Sequence, residues 1–115
     1  MESQQELLVE WGTGDVFHDL GLPDADELLA KSNLMIAIYD AIKRRKISQR
    51  ALAKQTEMPL TLISKLVKGQ ISAFSSDQLI HILNKLDQDV VIYVRPRPTS
   101  EDRPAHVSVE LAEAL

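Results

Sequence analysis

Apolar residues recur at helical spacing between residues 24 and 45. The stretch "PDADELL" places Asp24 three residues before Glu27, which is the spacing of a capping box at a helix start. The apolar positions that follow are Leu28, Met35, Ile38, Tyr39 and Ile42. This pattern predicts a helix that runs to about Arg45, either continuous or broken near Ser32 and Asn33.

The pattern next predicts two short helices joined by a tight turn. Ser48 is the N-cap candidate of the first helix, which runs to about Thr56. Pro59 biases Met58 toward extended backbone and suits the first turn of a second helix. That helix ends at Gly69, a residue suited to a left-handed C′ position. The positions expected to face inward are Leu52, Ala53, Met58, Ile63 and Leu66.

A further amphipathic helix is predicted after residue 74. Ser75 and Gln78 have capping-box spacing, with Phe74 and Leu79 placed as a hydrophobic staple. The buried stripe is expected to consist of Leu79, Ile82, Leu83 and Leu86. His81 then falls on the opposite, wetter face.

Residues 89–96, "DVVIYVRP", are rich in β-branched and aromatic residues and predict a strand that Pro96 ends. A lone strand needs a partner for its backbone groups. The partner is residues 7–11 of the same chain, the same strand of a second subunit, or a different protein. We favour pairing across a two-fold axis, because symmetric dimers are the commonest assembly.

These elements divide the chain into four parts. Residues 1–22 fit neither helical nor strand periodicity and are predicted to form an N-terminal arm. Residues 23–88 form the helical domain, residues 89–96 the dimerisation strand, and residues 97–115 a flexible C-terminal tail. With 115 residues, one domain of the all-α class is expected.

Charge is segregated along the chain. Residues 1–42 carry a net charge of −8, residues 43–70 carry +7, and residues 71–115 carry −3. A basic stretch inside an acidic chain is what a polyanion would meet at short range. The alternative is that these basic residues are the ordinary solvated face of helices.

The composition argues against several classes of protein. The chain has no cysteine, no paired histidines at helical spacing, no nucleophile elbow and no glycine-rich phosphate loop. We therefore expect no enzymatic activity, no metal and no cofactor. The absence of a long apolar run and of a secretory leader favours a cytoplasmic protein without a membrane span.

The central stretch "SQRALAKQTEMPLTLISKLVKG" resembles the helix-turn-helix of the Cro/C1-type (XRE) repressors. The matching positions are Ser48, Gln49, Leu52, Ala53, Ile63, Ser64, Leu66 and Gly69. The resemblance implies a lambda-repressor-like domain of five helices over about residues 27–87, and binding of double-stranded DNA as a homodimer at a palindromic operator. Two positions depart from the family pattern. Glu57 stands where glycine is usual, and Pro59 stands where a capping Ser or Thr is usual.

The flanking stretches "DVFHDLGLPDADELLAKSNLMIAI", "ISAFSSDQLIHILNKL" and "DVVIYVRP" extend the pattern over residues 15–96. Together they resemble the HigA-like antitoxins of type II toxin–antitoxin modules. This likeness implies a repressor of its own operon that neutralises a small basic toxin, a RelE/HigB-like ribonuclease. Two alternatives stay open. One is a stand-alone XRE regulator without a toxin. The other is a protein-interaction module that has lost DNA binding, for which Glu57, Pro59 and Leu60 are the suspicious features.

The resemblance assigns DNA contacts by position. Gln49 would meet phosphate or an adjacent base, and Ser64 either a base or a phosphate. The residues that would face base edges are Leu60, Thr61 and Lys65, where lysine can donate to guanine and Leu or Thr can touch a thymine methyl. The residues that would contact phosphate are Arg50 and Lys68, with Lys43 and Arg45 behind them.

Overall fold

The computed structural model describes residues 24–112 of the chain. Within that range it contains the helices α1 (Asp24–Arg45), α2 (Gln49–Thr56), α3 (Leu60–Val67) and α4 (Ser76–Lys85), with a short 3-10 helix, Ile71–Ala73, before α4. The predicted N-terminal arm, residues 1–22, lies outside the described residues. So does the Asp24 side chain of the first predicted capping box. None of the helices within residues 24–112 is both long enough and apolar enough to cross a membrane.

Helix α1 is continuous through Ser32 and Asn33. Asparagine disfavours helix interiors when its side chain competes for nearby backbone groups. Here the Asn33 side chain instead donates to the carbonyl oxygen of Val109, at 3.1 Å. Because α1 has no break, the described residues contain four α-helices, and the fifth helix that the resemblance implies is not confirmed.

The helix starts confirm two sequence predictions. The Ser48 hydroxyl accepts a hydrogen bond from the amide of Ala51, at 3.1 Å. The Ser75 hydroxyl accepts from the amide of Gln78, and the Gln78 side chain accepts in return from the amide of Ser75. These side chains satisfy amides that the helices themselves leave without partners.

The core lies between α1 and α4 and receives one face of α2 and of α3. Its members are apolar side chains of all four helices, together with Phe74 before α4 and Leu86 directly after α4. The buried residues are Ala30, Leu34, Met35, Ile38, Ala41, Leu52, Ile63, Leu66, Phe74, Leu79, Ile82, Leu83 and Leu86. The stripe predicted on α4 is confirmed, and His81 is exposed as expected.

Each of the four α-helices of the described residues is followed, within two residues, by a left-handed residue with φ between 55° and 80°. These residues are Lys46, Glu57, Gly69 and Asp87. After each of them, the next amide donates to a carbonyl five residues earlier, from Ile47 to Ile42, Met58 to Ala53, Gln70 to Lys65 and Gln88 to Leu83. This is the Schellman arrangement, which glycine favours. Only one of the four residues is glycine.

The segment after α4 does not form the predicted strand within the described residues. Residues 89–96 are irregular apart from a single β-bridge residue, Tyr93. Burial nevertheless alternates, because Val90 and Ile92 are partly buried while Val91 and Tyr93 are exposed. Alternation of this kind is typical of extended chain with one face against a protein body.

Residues 97–112 are the described part of the predicted flexible tail. Val107 and Val109 pack against the helical core. The hydrogen bond from Asn33 to the carbonyl of Val109 ties the same stretch to α1. Arg103 forms an ion pair with Glu101 at 2.6 Å and contacts His106. The described tail therefore has contacts both with the body and within itself.

Replacing Glu57 with glycine is expected to raise the free energy of unfolding by about 0.5–1 kcal/mol, because glycine adopts a positive φ without a Cβ clash. Glu57 has φ 59° and ψ 37°. The matched control is Gln55→Gly, the same kind of change within the exposed part of α2. It should lower the free energy of unfolding by about 1 kcal/mol. Urea denaturation of both variants measures whether the free energy of unfolding rises or falls in each. A lower free energy of unfolding in Glu57→Gly would contradict the left-handed conformation of Glu57.

Candidate nucleic-acid interface

Helices α2 and α3 are joined by residues 57–59, in a turn fixed by backbone hydrogen bonds. The Glu57 amide donates to the carbonyl of Lys54 at 3.3 Å, and the Met58 amide donates to that of Ala53 at 3.1 Å. The carbonyl of Pro59 then accepts from the amides of Leu62 and Ile63, at 3.0 and 3.1 Å. The turn therefore closes although Glu57 replaces the usual glycine and Pro59 supplies no side-chain cap.

The inward positions of these two helices are confirmed. Leu52, Ile63 and Leu66 are at most 1% exposed, and Ala53 and Met58 are partly buried against the core. Burying one face of each short helix fixes the pair as a unit on α1 and α4, since helices of this length are not stable alone. The geometry is that of a helix-turn-helix.

The seven residues assigned to DNA contact lie on the outward surface of this unit. Ser64 is partly buried, and the six exposed members are Gln49, Arg50, Leu60, Thr61, Lys65 and Lys68. Gln49 and Arg50 begin α2, while the other five lie on or directly after α3. The structure thus brings them to one unit of the fold. Their individual contacts with DNA remain predictions.

The basic residues of this region divide into two groups. Arg44 forms an ion pair with Asp40 at 2.9 Å, and Arg45 forms one with Asp87 at 3.1 Å. The remaining basic residues between 43 and 70 make no ion pair with any described residue; they are Lys43, Lys46, Arg50, Lys54, Lys65 and Lys68. Six exposed cations without local counter-charges produce a positive field at short range.

Two side chains, one from α1 and one from α4, form hydrogen bonds to backbone carbonyl groups of the helix-turn-helix unit. The Tyr39 hydroxyl of α1 donates to the carbonyl oxygen of Leu66 near the end of α3, at 2.7 Å. The Nε2 atom of His81 on α4 lies 3.2 Å from the carbonyl oxygen of Thr56, the last residue of α2. A carbonyl can only accept, so Nε2 carries the proton in this contact. Each short helix is therefore tied at its C-terminal end to a longer one.

Neither contact was found from the sequence. The sequence pattern identified Tyr39 only as one of the apolar positions of α1. It identified His81 only as a residue on the solvent-facing side of α4. For tyrosine a signal exists, because a buried phenol hydroxyl usually finds a partner. The identity of that partner needs the packing of α1 against α3, which no local pattern contains.

Among residues 24–112, no group of three or more His, Asp or Glu side chains is arranged to hold a metal ion. Thr56, which is buried, donates from Oγ1 to the carbonyl of Leu52 at 2.7 Å. It therefore serves to close the end of α2.

Comparisons with known proteins agree with this geometry. A sequence profile described as "Helix-turn-helix domain" matches residues 16–95. A solved chain described as a candidate XRE-family transcriptional regulator is 37% identical to this one, with a TM-score of 0.73. The alignment covers 78% of this chain and 100% of that chain. A search of curated proteins finds no significant match.

Replacing Tyr39 with phenylalanine is expected to lower the free energy of unfolding by about 1 kcal/mol, the usual contribution of one hydrogen bond. The Leu66 carbonyl keeps its second donor, the amide of Gly69 at 3.0 Å, which limits the loss. Urea denaturation near neutral pH measures the difference. Equal stability of the two proteins would contradict a role for the hydroxyl.

The same pair of proteins gives a pH prediction. Burial raises the pKa of the Tyr39 phenol above its ordinary value of 10.0. Stability gained from a group with a raised folded-state pKa is complete below its unfolded pKa and is lost as pH rises through the folded value. The gap between wild type and Tyr39→Phe should therefore stay constant up to about pH 10 and shrink at higher pH.

Proposed function

Because this chain belongs to the XRE family of helix-turn-helix proteins, we propose that it is a transcriptional repressor that binds operator DNA as a homodimer. We propose further that it is the antitoxin of a type II toxin–antitoxin module and represses its own operon. The observation that carries DNA binding is the outward surface of α2 and α3, where four exposed cations, Arg50, Lys54, Lys65 and Lys68, make no ion pair with any described residue. No catalytic step is part of the proposal.

In the proposed complex α3 lies in the major groove of the operator. In helix-turn-helix docking the first residues of the second helix reach base edges while the first helix crosses the backbone. Leu60, Thr61 and Lys65 would then face bases, and Gln49, at the start of α2, would meet phosphate or an adjacent base. Ser64 lies between these groups and would contact a base or a phosphate.

Phosphate contacts would come from the cations around this face. Arg50 and Lys68 are exposed and make no ion pair with described residues, which supports their assignment. Lys43, at the end of α1, is likewise exposed and makes no ion pair with described residues. Arg45 differs, because its guanidinium pairs with Asp87. This exposed pair is weak enough to exchange for a phosphate.

The dimer would form through residues 89–96. Val91 and Val94 are 57% and 53% exposed, and a second copy of the same segment would cover them. Alternation of burial between Val90 and Tyr93 supports an extended conformation there. A two-fold axis through this pairing would set two α3 helices about 34 Å apart, one helical turn of DNA. The intrachain alternative, pairing with residues 7–11, lies outside the described residues.

Toxin binding would use the first half of α1. Leu28, Leu29 and Ile36 are each more than half exposed, with Asp26 beside them, while Glu27 forms an ion pair with Lys31 at 3.3 Å. Residues 1–42 carry a net charge of −8. An apolar surface with acidic neighbours suits a basic partner, because opposite charges speed association and select the partner.

A second candidate function is favoured by one observation. Leu60 and Val67 on α3 are 42% and 47% exposed, and apolar surface on a recognition helix is also what a protein partner would cover. In this alternative the chain is an interaction module without DNA binding. A third reading, a stand-alone XRE regulator, shares the DNA chemistry and differs only in having no toxin.

The DNA proposal predicts different losses for two lysines. Lys65→Ala should weaken operator binding by about 1–3 kcal/mol for each half-site and relax the base preference at one position of each half-site. Lys68→Ala should weaken binding equally for all sequences and reduce the slope of log affinity against log salt by about two, one for each protomer of the dimer. Lys85→Ala, an exposed lysine at the end of α4, is the matched control and should change neither.

Fluorescence anisotropy on operator and scrambled duplexes, at several salt concentrations, gives these quantities. If duplex affinity shows no salt slope, and Lys65→Ala binds like wild type, the interaction-module reading replaces DNA binding.

The antitoxin proposal is tested with the product of the neighbouring open reading frame. Expressed alone, that product should arrest growth, and co-expression with this chain should restore growth and give a complex that co-purifies. Replacing both Leu29 and Ile36 with serine should abolish rescue while leaving operator binding unchanged. A harmless neighbour that elutes separately would leave a stand-alone repressor.

A further inference from the structure

The outward surface of α3 is divided into an apolar side and a basic side. Ile63 and Leu66 are fully buried and define the inward direction. Successive residues of an α-helix are rotated by about 100° around its axis. Leu60 and Val67 therefore lie together on one side of the outward surface, and Lys65 lies on the other side. Thr61 and Lys68 occupy the middle. The two exposed apolar side chains of α3 are therefore on the same side.

Leu60 lies at the end of that apolar side where bases are read. It is the first residue of α3, directly after the N-cap Pro59, and its side chain is 42% exposed. Val67 lies about 10 Å further along the helix axis, at the opposite end. In helix-turn-helix docking it is the N-terminal end of the second helix that meets base edges. Leu60 is thus the exposed apolar residue at the reading end of α3, which is its N-terminal end.

We infer that Leu60 recognises the C5 methyl group of a thymine in each operator half-site. This inference rests on the proposed DNA binding and specifies its sequence preference. A leucine side chain has no hydrogen-bonding atom, and the apolar group that bases present in the major groove is the thymine methyl. An isolated exposed leucine needs no explanation on an ordinary surface. At the first position of a recognition helix it selects among bases.

The basic side of α3 would recognise a second base in each half-site. Lys65 donates to acceptors, and guanine presents O6 and N7 as paired acceptors in the major groove. Residues three to four apart on a recognition helix read neighbouring bases, as zinc fingers show. Leu60 and Lys65 are five residues apart, so the thymine and the guanine lie within about two base pairs of each other.

The experiment uses uracil, which differs from thymine only by the missing methyl group. The full chain first selects binding sequences from a random duplex pool. Each thymine of the selected site is then replaced by uracil in turn, and affinity is measured for wild type and variants. Loss of one buried methyl should weaken wild-type binding about fourfold at one position in each half-site.

The variants assign that effect to one side chain. Leu60→Ala should bind the thymine duplex about as weakly as wild type binds the uracil duplex, with no further loss on uracil. Val67→Ala is the matched control on the same side of α3, and it should keep the full fourfold effect. Lys65→Ala should also keep the fourfold effect, although it should bind both duplexes more weakly than wild type does. Circular dichroism checks that the exposed substitutions leave the fold intact.

Two results would overturn the inference without touching DNA recognition. One is an enriched operator in which no thymine responds to uracil, and the other is a uracil effect that persists in Leu60→Ala. If the pool yields no enriched sequence, DNA recognition itself fails, and the inference about Leu60 fails with it.

Discussion

An eight-residue helix is not stable by itself in water, so α3 depends on what it packs against. It contributes two fully buried side chains to the core, Ile63 and Leu66. Near its end, the Leu66 carbonyl accepts both the Tyr39 hydroxyl and the Gly69 amide. The buried face of α3 therefore packs against α2 and the 3-10 helix, while its C-terminal end is held by Tyr39 of α1 and by its own C-terminal turn. This leaves its first turn and its outer face exposed for recognition.

The second constraint is how the two short helices meet. Glu57 and Pro59 both depart from what the turn would choose locally, since one carries a side chain at positive φ and the other supplies no capping oxygen. Backbone hydrogen bonds to Lys54, Ala53 and Pro59 close the turn in their place. Sites where local preference and structure disagree are often functional, because the rest of the fold must hold them. The proposed reading end of α3 begins directly after this turn.

Charge is organised by the same architecture. Helix α1 carries acidic residues at its start and basic residues at its end, where they also complement the helix dipole. Ion pairs with Asp40 and Asp87 neutralise Arg44 and Arg45, while the cations of α2 and α3 keep no local partner among the described residues. The net charge of −4 therefore gives little information about the surface that the proposed polyanion would meet.

Most of the local structure was determined by the sequence itself. The caps at Ser48 and Ser75, the left-handed residue Gly69, and the inward positions of α2 and α3 all follow from interactions within a few residues. The outward position of Gln49, Arg50 and Lys65 follows from the same periodicity. The helical pattern, by contrast, left open whether α1 is continuous at Asn33, and the partner of the Asn33 side chain, Val109, lies 76 residues away.

The anchors at Tyr39 and His81, and the pairing of Arg45 with Asp87, were likewise decided only in the tertiary structure. Residues 89–96 show the same limit, because β-branched composition favours a strand while pairing needs a second segment. Local hydrogen bonds and helical periodicity are encoded within one or two turns of chain. Contacts between distant segments depend on how the helices pack, which no short stretch of this sequence specifies.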